Sequence, residues 1–549
     1  MSARGVLVLL TVLAAGAAPA AAQTEPPPGG ALYQKLCSQC HGEKGDGNGI
    51  AAPRLMPRPR DFTTGKFKIR HTPSGALPTD DDLRKIIREG MPYTSMPPWP
   101  QLSDQQVDEL VAAVKSFSPD FANPERKPVP ITIPKAPAYS EESAKKGKEV
   151  YARIGCPACH GEIGRGDGPS APGLKDDAGY FIRAADLTKR WTYRGGPTRE
   201  DIYRTFTTGV NGTPMPSFAE SLTDEERWQL VDYIVSLDGR EDPGYAELVQ
   251  VQWTTDDIAL EAPDKARELF ASAAAAYFPV VGQITEPGRA FHPSANGVTV
   301  KAIYNARDIA FLVTWHDMRA DVSGHNAPDL PVPPEEDKGE VAADPADEGG
   351  GFFGEEEVTE EASADDFFGE EEGTADAGTE SEFSDALALQ FPAALPTGSR
   401  KPYFLFGDAQ NPVDLWFVDL AKKVATRYKG AGSESLTLEE GEDVTAVASY
   451  DRGEWSVILK RSLRATGGVT FTENQYVPIA FSLWDGAQRE RGNKRGLTRW
   501  MYLYTMPRET PSPLWPMLRA AFIVLVVEIL LIVWVRRRQT PVSPVGQEG

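Results

Sequence analysis

Cysteine is scarce: the 549 residues hold four, spaced as two pairs, Cys37/Cys40 and Cys156/Cys159. A disulfide-stapled scaffold is excluded by that count, and although two bridges are arithmetically open to an exported chain, the spacing argues against them. An excess of positive charge is also lacking, since 57 Lys and Arg face 79 Asp and Glu for a net charge of −22. No basic surface is left to hold nucleic acid. The acidity is local: from Glu335 to Glu382 there are twenty Asp or Glu against one Lys. That stretch cannot bury enough apolar surface to fold, and it predicts a disordered insertion over 327–382. It carries a short duplication, Phe352-Phe353-Gly354 and Phe367-Phe368-Gly369, each followed by three Glu. A solvated loop is one reading; a docking arm for a Lys-rich partner is the other. The length is too great for one core and predicts three or four units.

Long apolar runs are confined to the two ends. Arg4, the apolar Val6 to Ala15, and Ala20-Ala21-Ala22 read as a signal peptide over 1–22. An N-terminal anchor is the alternative, and the shortness of the run counts against it. Ala520 to Val535 is a second run, sixteen residues between Arg519 and Arg536. As a helix it measures about 24 Å. Snorkelling arginines with Trp515 and Trp534 extend it into a membrane-spanning helix over 514–535. Arg536, Arg537 and Arg538 then place 536–549 in the cytoplasm and the rest on the periplasmic side of a bacterial inner membrane. Glu528, within the run, points to a membrane partner, or to a protonated side chain facing lipid.

The cysteines belong to Cys37-Ser38-Gln39-Cys40-His41 and Cys156-Pro157-Ala158-Cys159-His160. C-x-x-C-H is the attachment pattern of c-type haem: two thiols add to the porphyrin vinyl groups and the adjacent imidazole reaches the iron. Cys37, Cys40, Cys156 and Cys159 are thus expected to bind two covalent haems, with His41 and His160 as iron ligands. The two motifs are 119 residues apart, and Gly90/Gly209 and Met96/Met215 repeat that shift. Each Met precedes a Pro, and each is expected to be the second axial ligand, although Met is ordinarily a core filler. Met91 competes in the first unit, but its counterpart is Val210. His71 also competes, without a counterpart in the second unit. Ser103 with Gln106 and Thr223 with Glu226 predict capping boxes opening two amphipathic helices, the first with Val107, Leu110, Val111 and Val114 on its apolar face and the second with Leu230, Val231, Ile234 and Leu237 on its own.

Both units resemble class I cytochrome c domains, over 29–120 and 139–240, joined by a Pro-rich linker at 121–138. The resemblance implies all-α domains of three to four helices around a His/Met haem. Such an iron has no open position, and transfers electrons rather than binding substrate.

From about 245 the period changes to two: Val298, Val300, Ala302, Tyr304; Ile309, Phe311, Val313, Trp315; Trp455, Val457, Leu459; Ile479, Phe481, Leu483. These predict an antiparallel β-sandwich over 245–505. Asp385 to Pro392, Asn411 to Phe417, Gly453 to Leu463 and Ile479 to Gly486 resemble the haem-binding γ subunit of ethylbenzene dehydrogenase and its counterparts in dimethylsulfide dehydrogenase, selenate reductase and chlorate reductase. The resemblance implies one haem b between a Met and a Lys, passing electrons from a molybdenum subunit by way of an iron–sulfur subunit. Gln390 and Thr470 stand at the corresponding positions here, which leaves a haem b without its ligands. His316 and Met318 are two apart on a strand and cannot sandwich one iron. His292 and His325 read as surface or loop residues.

Together these readings predict a membrane-anchored electron-transfer protein rather than an enzyme. Its expected partners are a soluble cytochrome or molybdoenzyme and iron–sulfur subunits. A dihaem oxidase or peroxidase, and a docking module with accessory haems, are the alternatives.

Overall fold

The structure, a computed structural model, describes residues 30–237, 244–333, 381–509 and 514–538, apart from 397, 399, 440, 442, 465 and 466. The expected signal peptide over 1–22, the bulk of the acidic segment and the residues beyond 538 lie outside the described residues. The chain divides into two compact units, Met1–Pro243 and Gly244–Gly549.

The first unit is helical. Helices α1 (Gly30–Leu36), α2 (Ser38–His41), α3 (Asp80–Glu89) and α4 (Asp104–Ser116) are followed by α5 (Glu141–Arg153), α6 (Pro157–His160), α7 (Arg199–Thr208) and α8 (Asp224–Leu237). The amphipathic faces fall as their spacing dictates. Val107, Leu110, Val111 and Val114 join Tyr33, Phe62 and Ile87 in one core. Leu230, Val231 and Ile234 join Val150, Tyr151 and Phe206 in a second, with Leu237 at its edge. Each such side chain contributes about 1.5–3 kcal/mol by leaving water. Ser103 and Gln106 form the expected capping box at α4. Thr223 and Glu226 do so at α8. Two more, Thr79/Asp82 at α3 and Thr198/Asp201 at α7, use Asp in place of Glu or Gln.

The segment between the two helical sets is not a free spacer. The Ile131 N–H donates to the His71 carbonyl at 2.7 Å, and Arg199 donates to the Pro137 carbonyl at 2.6 Å. Helices α5 and α8 cross at Gly147, where an added Cβ would lie 1.9 Å from the Gln229 carbonyl oxygen. Gly147→Ala is therefore expected to force the helices apart and cost about 3 kcal/mol. Thermal unfolding checks this, and an unchanged midpoint would contradict it.

The second unit is built on strands β1 (Leu248–Trp253), β2 (Ala276–Pro279), β3 (Val281–Gly282), β4 (Gly297–Tyr304), β5 (Asp308–His316), β6 (Ala386–Pro392), β7 (Val413–Asp419), β8 (Val424–Gly430), β9 (Leu436–Leu438), β10 (Val444–Tyr450), β11 (Glu454–Ser462), β12 (Tyr476–Trp484), β13 (Gly496–Leu497) and β14 (Met501–Thr505). The main path runs β10-β11-β5-β4-β1-β14-β12-β6-β7-β8-β9. Strand β12 serves two layers: Tyr476 to Ile479 pair with β14, and Ala480 to Trp484 with β6. One core takes residues from both parts of the path, among them Val300, Phe311, Val457, Leu389, Trp416 and Phe481.

The expectation of a purely antiparallel sandwich is corrected. β1 runs parallel to both β4 and β14. A connection containing the short helix α9 (Pro263–Glu268) separates it from β2, so no hairpin fixes its direction. The central strands are also buried on their second face, because Ile258, Ala266 and Phe270 cover Ile303, Ala310, Leu312 and Ile458.

Buried acids knit the strand ends. Asp385 accepts hydrogen bonds from the Asp321 and Gly486 N–H groups and the Trp455 indole, at 2.7, 2.9 and 2.9 Å. Helix α10 (Leu514–Arg538) is, among the described residues, the one helix long and apolar enough to cross a membrane.

Candidate haem centres

Both C-x-x-C-H motifs fold as one short helical turn, α2 and α6, each ended by a glycine in the left-handed region, Gly42 and Gly161. The following loop then doubles back. Gly49 and Gly168 lie against the turn so closely that an added Cβ would sit 2.3 Å from the Gln39 carbonyl oxygen and 2.4 Å from that of Ala158. The chain can take this path only where no side chain intervenes. A tyrosine locks each turn: the Tyr33 hydroxyl donates to the Gly42 carbonyl at 2.8 Å, and that of Tyr151 to Gly161 at 2.7 Å.

Each motif histidine is oriented by a backbone carbonyl. His41 Nδ1 lies 2.9 Å from the Arg60 oxygen, and His160 Nδ1 lies 3.0 Å from that of Ala185. A carbonyl only accepts, so Nδ1 carries the proton and Nε2 keeps its lone pair. Burial holds both imidazoles below the usual histidine range, which favours this neutral form. Phe62 stacks on His41 at 4.5 Å between ring centroids. Burial also pushes the Cys37 thiol up to about 11 and Cys156 up to about 12. All four cysteines are free.

Met96 and Met215 occupy loops of the same design. Each main-chain carbonyl accepts a 3.1 Å hydrogen bond, from the Met91 and Val210 N–H groups respectively. Each N–H donates to a threonine hydroxyl, Met96 to Thr94 at 3.1 Å and Met215 to Thr213 at 3.3 Å. Both Met side chains are half-buried, and Met215 packs on the same apolar cluster as Cys156. The loops start at Gly90 and Gly209, where a Cβ would meet Pro97–Pro98 and Pro216–Ser217 backbone inside 3 Å. The donor set suits a c-type haem: paired free thiols, a fixed imidazole with an available lone pair, and a thioether in a braced loop.

Of the competing ligands, His71 has partners of its own. His71 Nδ1 lies 2.5 Å from Asp82 and its Nε2 lies 3.4 Å from Arg204 of the second helical set. It is a contact between the two sets. Met91 opens the loop whose far end carries Met96. The bracing threonines repeat at the 119-residue shift and could have been found by it. The orienting carbonyls of Arg60 and Ala185 do not repeat at that shift, and no side-chain pattern marks them.

In the β unit, Gln390 is 2 % exposed, and its amide lies 3.3 Å from the Phe404 carbonyl it donates to. Thr470 is exposed. The two do not face a common buried space. Phe391, next to Gln390, packs in the core against Trp416, Phe471 and Phe311, edge-on or tilted, at centroid distances of 4.7, 5.5 and 5.8 Å. These residues do not fit a haem b.

Comparison with known families gives three matches: Cytochrome c over residues 144–238, the cbb3-type cytochrome c oxidase subunit III family over 24–112, and Ethylbenzene dehydrogenase over 428–496. The chain carries two cytochrome c domains and an ethylbenzene dehydrogenase-type domain. A protein described as a respiratory nitrate reductase haem subunit, from Haloferax mediterranei, is 30% identical over 22% of this chain and 43% of its own length. The dimethylsulfide dehydrogenase γ subunit of Rhodovulum sulfidophilum is 30% identical over 24% of this chain and 51% of its own. The chain thus spans about half the length of the curated relatives it matches. Among solved structures, a chain of the Kuenenia stuttgartiensis reducing HAO-like protein complex Kustc0457/Kustc0458 is 43% identical. The match covers 39% of this chain and 96% of that one, with a TM-score of 0.37. The two cytochrome matches contain the two centres described above, and the ethylbenzene dehydrogenase match lies within the β unit.

Proposed function

We propose that this chain is a dihaem electron-transfer subunit, tethered by α10 on the periplasmic side of a bacterial inner membrane. Its proposed place is between a respiratory oxidoreductase of the molybdoenzyme type and a soluble redox carrier. The observation that carries this reading is the duplicate construction of the two centres. Cys37, Cys40, Cys156 and Cys159 would hold the porphyrins by thioether bonds, with His41 and Met96, and His160 and Met215, as axial ligands. Each haem would supply one-electron transfer at an iron with both axial positions filled. The chain's own part is to fix the imidazoles through Arg60 and Ala185, hold the thioethers through Thr94 and Thr213, and keep water from the iron.

The β unit would act without a cofactor, as the module that docks the partner subunits. The relatives named as dehydrogenase and reductase subunits support such an assembly, and the poor fit of Gln390 and Thr470 to a haem b supports a protein role. A pyridine haemochrome assay of the full chain tests both points. The expected result is two haem c and no haem b per polypeptide; one haem c, or any haem b, would overturn the assignment.

A further inference from the structure

Some of the side-chain contacts between the two cytochrome domains follow the 119-residue repeat. Lys85 of α3 lies 3.6 Å from Asp201 of α7. Its repeat counterpart, Arg204, reaches back to His71, which is held by Asp82, the counterpart of Asp201. These two contacts mirror each other, as between two copies of one fold. Others fall outside it: Lys66 pairs with Asp177 and Lys68 with Asp176, the Gly75 N–H donates to the Asn211 side chain, and Arg70 crosses between the domains as a buried cation. Arg70 is 0 % exposed. Its guanidinium donates to the Thr208 and Gly209 carbonyls of the other domain at 2.6 and 3.3 Å, and to Pro73 and Phe67 of its own at 3.2 and 3.4 Å. Its counterpart by the same shift, Lys189, pairs with Asp186 inside the second domain at 2.9 Å.

Those two carbonyls are the end of α7, where helix carbonyls lack partners and the dipole favours a cation. A planar guanidinium can serve two of them at once. The same helix end is tied to the Met215 loop. The Ser217 hydroxyl donates to the Thr207 carbonyl at 2.6 Å. The Phe218 N–H donates to Phe206, at 2.8 Å, and that of Val210 to Met215.

We propose that Arg70 is a positioning residue for the second haem: the first cytochrome domain holds the Met215 ligand loop of the second by clamping the end of α7. This rests on Met215 being the axial ligand. The clamp makes the two centres unequal, and it makes ligation at the second depend on contact between the domains.

The test uses the full holoprotein and the sulfur-to-iron charge-transfer band of the oxidised haems. Met96→Ala leaves only the second centre contributing to that band, and Met215→Ala leaves only the first. Adding Arg70→Met to the Met96→Ala chain is expected to remove most of the remaining band and admit carbon monoxide to the reduced second haem. Adding it to the Met215→Ala chain should leave the first haem's band unchanged. Arg70→Lys keeps the charge but loses the fork, and should give partial loss at the second haem alone; it stands in if Arg70→Met does not accumulate. An intact second-haem band, or equal loss at both haems, overturns the proposal. If Met96→Ala with Arg70 intact already lacks the band, the axial role of Met215 has failed instead.

Discussion

Met215→His and Met96→His will each lower the potential of one haem and leave the other nearly where it was. A thioether donates less electron density than imidazole and so favours ferrous iron, whereas imidazole favours the ferric state, which places His/Met ligation high among haem potentials. Axial ligation spans about 0.8 V across haem proteins, and each exchange should move its haem by a sizeable part of that range. The loops are braced by backbone bonds rather than by the Met side chain itself, since the Met96 and Met215 carbonyls and N–H groups are both engaged. The exchange therefore alters the ligand with little change to its surroundings. Met91→Ala is the control. Met91 sits at the opening of the loop, and its replacement should leave both potentials in place. Spectroelectrochemical titration reads these outcomes. A shift on Met91→Ala, with none on Met96→His, would assign the first centre to the wrong methionine.

The β unit should lose stability as pH rises, and Glu490→Gln should remove much of that loss. Glu490 is 3 % exposed. Its carboxylate accepts hydrogen bonds from the Asp485 and Ser294 N–H groups at 3.0 and 3.3 Å. Burial, with the charge of Asp485, pushes it up to about 8, against those N–H groups and Lys494. The folded state thus keeps a proton that the unfolded chain releases above about pH 4.3. Stability then falls with pH between that value and about 8. At 1.36 kcal/mol per unit, the cost reaches roughly 4 kcal/mol at pH 7. Gln carries no charge to bury, so it should recover a gain of that order at pH 7 and little at pH 4. Asp317 and Asp385, held well above the carboxylate range by burial and neighbouring acids, add slope of the same sign. Thermal unfolding of the full chain across pH checks this. An unchanged pH dependence in Glu490→Gln would contradict it.

Much of the helical unit was legible in the sequence because its signals are local. The amphipathic spacing of Val107 to Val114 and the Ser103/Gln106 box specify α4 without reference to anything distant. The repeat carried further: one shift located Met96 and Met215, and also located Thr94 and Thr213 once the loops were seen. Contacts made by the backbone were not legible. The Arg60 and Ala185 carbonyls could belong to any residue, so no side-chain pattern announces them. Nothing in the sequence marks Arg70, which the structure buries where the two domains meet. The β unit was legible as strands but not in its direction. Alternation marks β4, β5, β11 and β12, yet nothing in Leu248 to Trp253 says that β1 runs parallel to its neighbours. The second buried face was hidden for a similar reason. Ala310 and Leu312 alternate with Ile309 and Phe311 in an almost continuous apolar run, which reflects the cover supplied by α9 and Phe270.

The central claim is that both irons are closed by protein ligands and exchange only electrons. Carbon monoxide added to the dithionite-reduced, full-length protein tests it most directly. The account predicts two haem c per chain whose visible bands do not shift with the gas. A shift in either haem would show an iron open to exogenous ligand, and would favour an oxidase or peroxidase over an electron-transfer subunit.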